Sequence, residues 1–142
     1  AHSMGLQARV ADNPNHALAD CSLVVSATSA QEVSLYSKPR EDAFVCAIGA
    51  FTPAMVEWAP EVCVYMAQHG QVFVDTRDAD HEAGDLLQAG LDVTTFPTLQ
   101  ALVRGEVSGA YDKNKPVFFK SCGWAGWDLA AARCVVNSLG LG

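Results

Sequence analysis

Four short apolar runs punctuate the chain, and the stretches between them carry helical spacing. Residues 22–28 (SLVVSAT) form one continuous run, residues 44–48 (FVCAI) stop at Gly49, residues 71–75 (QVFVD) end on a carboxylate, and residues 117–120 (VFFK) close the set. Runs that stay apolar, rather than alternating with polar positions, are expected of strands buried on both faces. Between them, Asn13-Pro14 reads as a cap and first turn for a short helix to Asp20. Residues 39–42 read as a polar turn. Pro60 opens the main helix, which runs to about His69 and stops at Gly70. Asp78, Asp80 and Glu82 give the next helix an acidic start that complements its dipole, and Gly90 ends it. Pro97 opens a short helix to Arg104, followed by a loop over 105–115. A last helix runs from about Ala125 to Leu139. It has little polar surface, so most of it is expected to be covered.

Strands alternating with helices predict an α/β fold: a mostly parallel sheet of about four strands, helices on both faces and right-handed crossovers. Residues 43–92 hold the clearest β-α-β-α succession, the grammar of a nucleotide-binding sheet. What precedes them departs from that grammar. A dinucleotide-binding domain opens with a strand and a Gly-x-Gly-x-x-Gly turn, whereas residues 4–9 offer MGLQAR with no strand in front.

Composition narrows the partners. The 142 residues suit a single domain, and a chain of this size buries roughly 68–70% of its unfolded surface. A net charge of −7 sets the surface against nucleic acid and anionic membranes, because phosphates repel it. No apolar run reaches the length of a membrane span, and the first residues lack the regions of a signal peptide. Ala1-His2-Ser3-Met4 reads as a vector remnant. The five cysteines, Cys21, Cys46, Cys63, Cys122 and Cys134, form no Cys-x-x-Cys pair, so buried reduced thiols in a cytoplasmic protein are expected. No metal site is expected. Asp78, Asp80, His81 and Glu82 sit at adjacent helical positions that point in different directions, so they do not converge on one ion.

Six blocks resemble the nucleotide domain of the ornithine cyclodeaminase/mu-crystallin family, in the family's order and spacing. They are VVSATSA at 24–30, AIGAFTP at 47–53, VFVD at 72–75, EAGDL at 82–86, FKSCG at 119–123 and DLAAA at 128–132. Together they span about residues 10–140. The wording FFKSCGWAGWDLAAAR at 118–133 resembles one branch, the ketimine reductases. These reduce cyclic imines such as 1-pyrroline-2-carboxylate and 1-piperideine-2-carboxylate with NADPH or NADH. The resemblance implies a partial Rossmann-like domain, with Thr28, Ser29, Ile48, Gly49, Ala50 and Ser121 toward the cofactor and Cys122 toward the substrate. It assigns no catalytic residue here: Phe51 stands where the cyclodeaminase branch has a catalytic aspartate, and phenylalanine exchanges no protons.

The match also implies that the family's substrate and dimerisation domain is absent and that residues 1–142 form one truncated domain. Gly5-Leu6-Gln7-Ala8-Arg9 resembles the end of the family's glycine turn, and a chance match stays equally open. Two functions from different classes follow. One is a truncated relative of an NAD(P)H-dependent ketimine reductase, inactive alone and partnered by the missing half of the enzyme. The other is a non-catalytic homo-oligomer or binding module that keeps the remnant fold; a domain excised from a whole enzyme is a third origin. Asp75 is read as a base or ribose partner, or else as a cap for the next helix or a mate for Arg77. Cys122 is read as a small packing residue rather than a nucleophile, since no histidine base is evident.

Overall fold

A computed structural model describes residues 2–29, 32–107 and 111–140. Four parallel strands, β1 (Leu23–Ser26), β2 (Phe44–Ala47), β3 (Gln71–Val74) and β4 (Val117–Lys120), form one sheet in the order β1-β2-β4-β3. The register aligns Ser26, Ala47, Lys120 and Val74 in one row. All four strands therefore end together, and the loops that follow them leave from a single edge of the sheet.

Side chains alternate between the two faces of a strand, and here the faces differ. Ser26, Val45, Ala47, Val72, Val74, Phe118 and Lys120 lie on the first face, and all are buried. They pack under α2 (Pro60–His69), whose Val62, Cys63 and Met66 project from one side at i, i+1 and i+4. Pro60 supplies a first turn that needs no donor, and the Gly70 N–H closes the helix on the Met66 carbonyl. Trp58, just before α2, is fully buried against Phe118 with the rings edge-on, 5.5 Å apart at 83°. That geometry suits the ring quadrupoles.

The second face carries Leu23, Val25, Phe44, Cys46, Val117, Phe119 and Phe73. Among the described residues only its β3 and β4 side is roofed, by α5 (Leu99–Val103), with a cavity of about 190 Å³ left between. Leu23 and Val25 remain 68% and 60% exposed. Helices thus stand on both faces, but unequally. A groove of about 410 Å³ runs between the outer edge of β1 and α1 (Pro14–Asp20), a helix capped by the Asn13 side chain and seated in the core by Leu18.

Two expectations need correction. The helix expected from Asp78 to Gly90 is two helices, α3 (Ala79–Glu82) and α4 (Gly84–Gln88), broken at Ala83, where ψ is 73°. The break lets the backbone at Gly84 press onto the 52–55 turn. A Cβ there would stand 2.1 Å from the Met55 carbonyl oxygen, so only glycine fits. The closing helix, α6 (Ala125–Ser138), has no buried residue, although coverage was expected. Its apolar side chains, including Trp127, Leu129, Val135 and Val136, point to several sides, and no described element encloses it. Only its start lies near α5, across a cleft of about 570 Å³ bordered by Trp124, Trp127 and Val103. Among the described residues, no helix is long and apolar enough to cross a membrane.

Candidate functional site

Because the strands end in register, the expected site residues come together at the carboxyl edge of the sheet. Thr28 and Ser29 follow β1, Ile48, Gly49 and Ala50 follow β2, and Ser121 and Cys122 follow β4; these three strands are neighbours. Open α/β sheets place ligands at this edge. Ile48, Phe51 and Ser29 are exposed there, Gly49, Ser121 and Cys122 half-buried, and Ala50 buried. Gly49 is needed where it stands: a Cβ would lie 2.1 Å from the Thr28 carbonyl oxygen and 2.4 Å from Glu57 Oε1. The loops after β1 and β2 are in direct contact, and a side chain would wedge them apart.

Beneath this edge lies a layer of buried charge that strand periodicity did not reveal. Glu57 is fully buried. Its carboxylate accepts from Thr28 N at 2.7 Å on Oε1, and from Ser26 Oγ at 3.0 Å and Gly49 N at 3.2 Å on Oε2. Asp85, also buried, takes the backbone N–H groups of Glu57 and Trp58 on Oδ1 at 2.6 and 3.0 Å. Its Oδ2 pairs with Lys120 Nζ at 3.0 Å, and the same ammonium donates to the Ala50 carbonyl. A buried ion pair needs further hydrogen bonds to offset its desolvation; here Asp85 Oδ1 has two backbone donors and the ammonium one carbonyl, while among the described residues Oδ2 has the ammonium alone.

Asp75 forms a third buried anchor. Its Oδ2 accepts from Ser121 Oγ at 2.7 Å and from Cys122 N and Gly123 N, both at 2.9 Å. Its Oδ1 accepts from Thr76 N at 2.8 Å. The carboxylate is thus committed to the loop after β4, not to Arg77, which instead donates to the Thr94 and Phe96 carbonyls and lies 3.4 Å from Asp80. The consequence for ligands is directional. The N–H groups of Thr28, Gly49, Cys122 and Gly123 all point inward onto carboxylates, leaving an outward surface built from Ile48, Phe51 and the loop backbones. Phe51, Cys122, Asp78, Glu82 and Trp124 border a hollow of about 410 Å³ beside it.

The thiols depart from expectation in part. None is paired, but Cys21 and Cys134 are exposed rather than buried, because α6 lacks cover and Cys21 sits at the open end of α1. Burial pushes the Cys63 and Cys122 thiols up to about 12 and raises Cys46 above its usual value. A shift from 9 to about 12 leaves Cys122 with about a thousandfold less thiolate near neutral pH, the opposite of an activated nucleophile. With a maleimide at pH 8, Cys21 and Cys134 are expected to label within minutes and Cys63 and Cys122 to resist until denaturant is added. Rapid labelling of Cys122 in the native chain, read by peptide mass, would show an activated thiol instead.

These loops and their family blocks agree with the comparison to known sequences. The profile of the ornithine cyclodeaminase/mu-crystallin family matches residues 1–140. The chain belongs to that family. It is 34% identical over 118 residues to the delta(1)-pyrroline-2-carboxylate reductase 2 of Burkholderia ambifaria, covering 82% of this chain and 35% of that one. It is 31% identical over 140 residues to the ketimine reductase mu-crystallin of Rattus norvegicus, covering 97% and 42%. The chain therefore spans well under half the length of these curated relatives.

Solved structures agree on the fold. A probable ornithine cyclodeaminase from Bordetella pertussis Tohama I superposes with a TM-score of 0.74 at 25% identity, over 98% of this chain and 46% of that one. An archaeal alanine dehydrogenase dimer with bound NAD gives 0.79 at 22% identity, over 99% and 45%. The four-stranded parallel sheet of this chain is thus Rossmann-like.

Proposed function

We propose that this chain carries the nicotinamide-facing part of an NAD(P)H-dependent ketimine reductase, an enzyme that reduces the C=N bond of a cyclic imino acid. The single observation behind this reading is the convergence of residues 28–29, 48–50 and 121–122 at the carboxyl ends of three adjacent strands, in a chain whose curated relatives are pyrroline-carboxylate and ketimine reductases. The cofactor, when bound, supplies the hydride. The chain's part is to hold a planar ring. Gly49 lets the loops after β1 and β2 close on each other, and Ile48 and Phe51 offer apolar contact. The inward-turned N–H groups suit an uncharged ring and ribose rather than pyrophosphate, which calls for donors pointing outward. The described residues thus fit the nicotinamide end of a dinucleotide and not its phosphates.

This predicts weak binding and no turnover by the 142-residue chain alone. Titration with NADPH, followed by nicotinamide fluorescence, is expected to give a dissociation constant near millimolar, with no reduction of 1-piperideine-2-carboxylate. No response up to several millimolar would end the dinucleotide reading for this chain.

A second reading, a non-catalytic assembly module, draws on the bare second face around Leu23, Val25 and Phe44 together with α6. Apolar area on this scale marks a protein contact, made either by the remainder of a reductase or by a second copy. The net charge of −7 favours a protein partner over nucleic acid or an anionic membrane. Light scattering on the sample used for titration separates the two: a dimer that ignores NADPH favours the module, and a monomer that binds it favours the reductase part.

A further inference from the structure

We infer that Glu57 is a positioning residue that sets the spacing of the two loops flanking the nicotinamide, an assignment that rests on the dinucleotide reading above. Glu57 precedes α2 and touches no exposed surface, yet its carboxylate bridges the ends of β1 and β2. Thr28 N donates to one oxygen, and Ser26 Oγ and Gly49 N donate to the other. Ser26 Oγ itself accepts from Trp58 Nε1 at 2.9 Å, which leaves the hydroxyl proton for Glu57. Each of these three partners donates to the carboxylate, so both oxygens act as acceptors.

The residue is held from behind as firmly as it holds in front. Its N–H is fixed by Asp85 Oδ1, and its carbonyl accepts from Ser34 N and Leu35 N, both at 2.9 Å. The bridge is therefore a strut between the core and two loop backbones, not a side chain filling space. An apolar residue of similar volume would fill the same place without desolvating a carboxylate. What the carboxylate adds is direction: it fixes where the N–H groups of Thr28 and Gly49 point, and hence the plane their loops offer to a ligand.

Glutamine separates direction from volume. In Glu57→Gln, one oxygen becomes an NH2 group of nearly the same size. Either orientation sets that donor against a backbone donor, Thr28 N–H in one and Gly49 N–H in the other. Flipping the amide therefore cannot rescue both, and one loop is released while the core stays filled.

The test reads amide hydrogen exchange by NMR on the 142-residue chain, followed by NADPH titration. In the wild type, the Thr28 and Gly49 amides lie outside the strand ladders yet are expected to exchange at least about a hundredfold slower than open-loop amides. In Glu57→Gln, at least one of them is expected to exchange about tenfold or more faster, while Val45 and Phe118 in the strands keep their rates. NADPH affinity is expected to fall about tenfold. Three results would overturn the assignment: open-loop exchange at Thr28 and Gly49 in the wild type, equal acceleration of the strand amides in the variant, or unchanged NADPH affinity. If the wild-type amides are protected but NADPH never binds, the dinucleotide reading falls and the cofactor role of Glu57 with it. That result is distinct from failure of the strut, which the cofactor-free amides report by themselves.

Discussion

Replacing Lys120 with methionine is expected to destabilise the chain by about 3–5 kcal/mol, the usual cost of stripping one partner from a buried ion pair. Lys120 is fully buried, and Asp85 Oδ2 has no hydrogen-bond partner among the described residues besides this ammonium at 3.0 Å. Methionine fills the stem's volume but leaves a bare carboxylate oxygen and an unmatched Ala50 carbonyl in the core. Native stabilities are on the order of 5–15 kcal/mol, so a loss of this size brings the chain near its unfolding midpoint at room temperature. Urea denaturation followed by circular dichroism reads it directly. The double variant Lys120→Met with Asp85→Asn tests the cause. Asparagine keeps Oδ1 for the Glu57 and Trp58 N–H groups and removes the orphan charge, so more than half of the lost stability is expected to return. If the double variant is no better than the single, volume or backbone strain rather than the unpaired charge is responsible.

Trp58→Ala is expected to cost a similar amount, about 3–5 kcal/mol, by a different route. The indole is fully buried under the first face of the sheet, edge-on to Phe118, and its Nε1 donates to Ser26 Oγ. Alanine leaves a cavity that α2 and the sheet cannot close without moving together. Trp58→Phe keeps most of the volume and loses the hydrogen bond, so a loss of only about 1–2 kcal/mol is expected. Comparison of the two midpoints by thermal unfolding checks this, and equal losses would place the energy in the hydrogen bond rather than in packing. The Trp58 and Lys120 effects are not expected to add, because both residues bond to Asp85, Trp58 through its backbone N–H and Lys120 through its ammonium.

The two substitutions show which parts of the molecule its sequence made legible. The span of α2 follows from Pro60 and Gly70, and that of β4 from a short apolar run, because the signals are local and strong. The split between α3 and α4 was not legible. Residues 78–90 have ordinary helical spacing, and the break is imposed by the 52–55 turn pressing on Gly84, a contact distant in sequence. The expected site residues share one edge because the strands end in register, a pairing that apolar runs of unequal length do not fix. Of the buried residues beneath them, Asp75 was singled out, though not for the loop it holds, while the buried roles of Glu57, Asp85 and Lys120 were missed. Glu57 lies in the apolar string AMVEWA at 54–59, and a lone carboxylate among residues that are otherwise apolar was a signal of burial. Nothing in that string names Thr28, Gly49 and Ser26 as its partners.

Hydrophobic patterning, helix stops and the six family blocks are local properties, and by themselves they determined a parallel α/β sheet, its strand ends and its membership of the ornithine cyclodeaminase/mu-crystallin family. Tertiary structure alone decided which polar groups face inward. A carboxylate enters a low-dielectric core only if donors from several segments meet it. The meeting of Glu57, Asp75, Asp85 and Lys120 with the loops above them exists only once all four strands are in place. The same holds for α6: its sequence asks for cover, and the sheet offers it none.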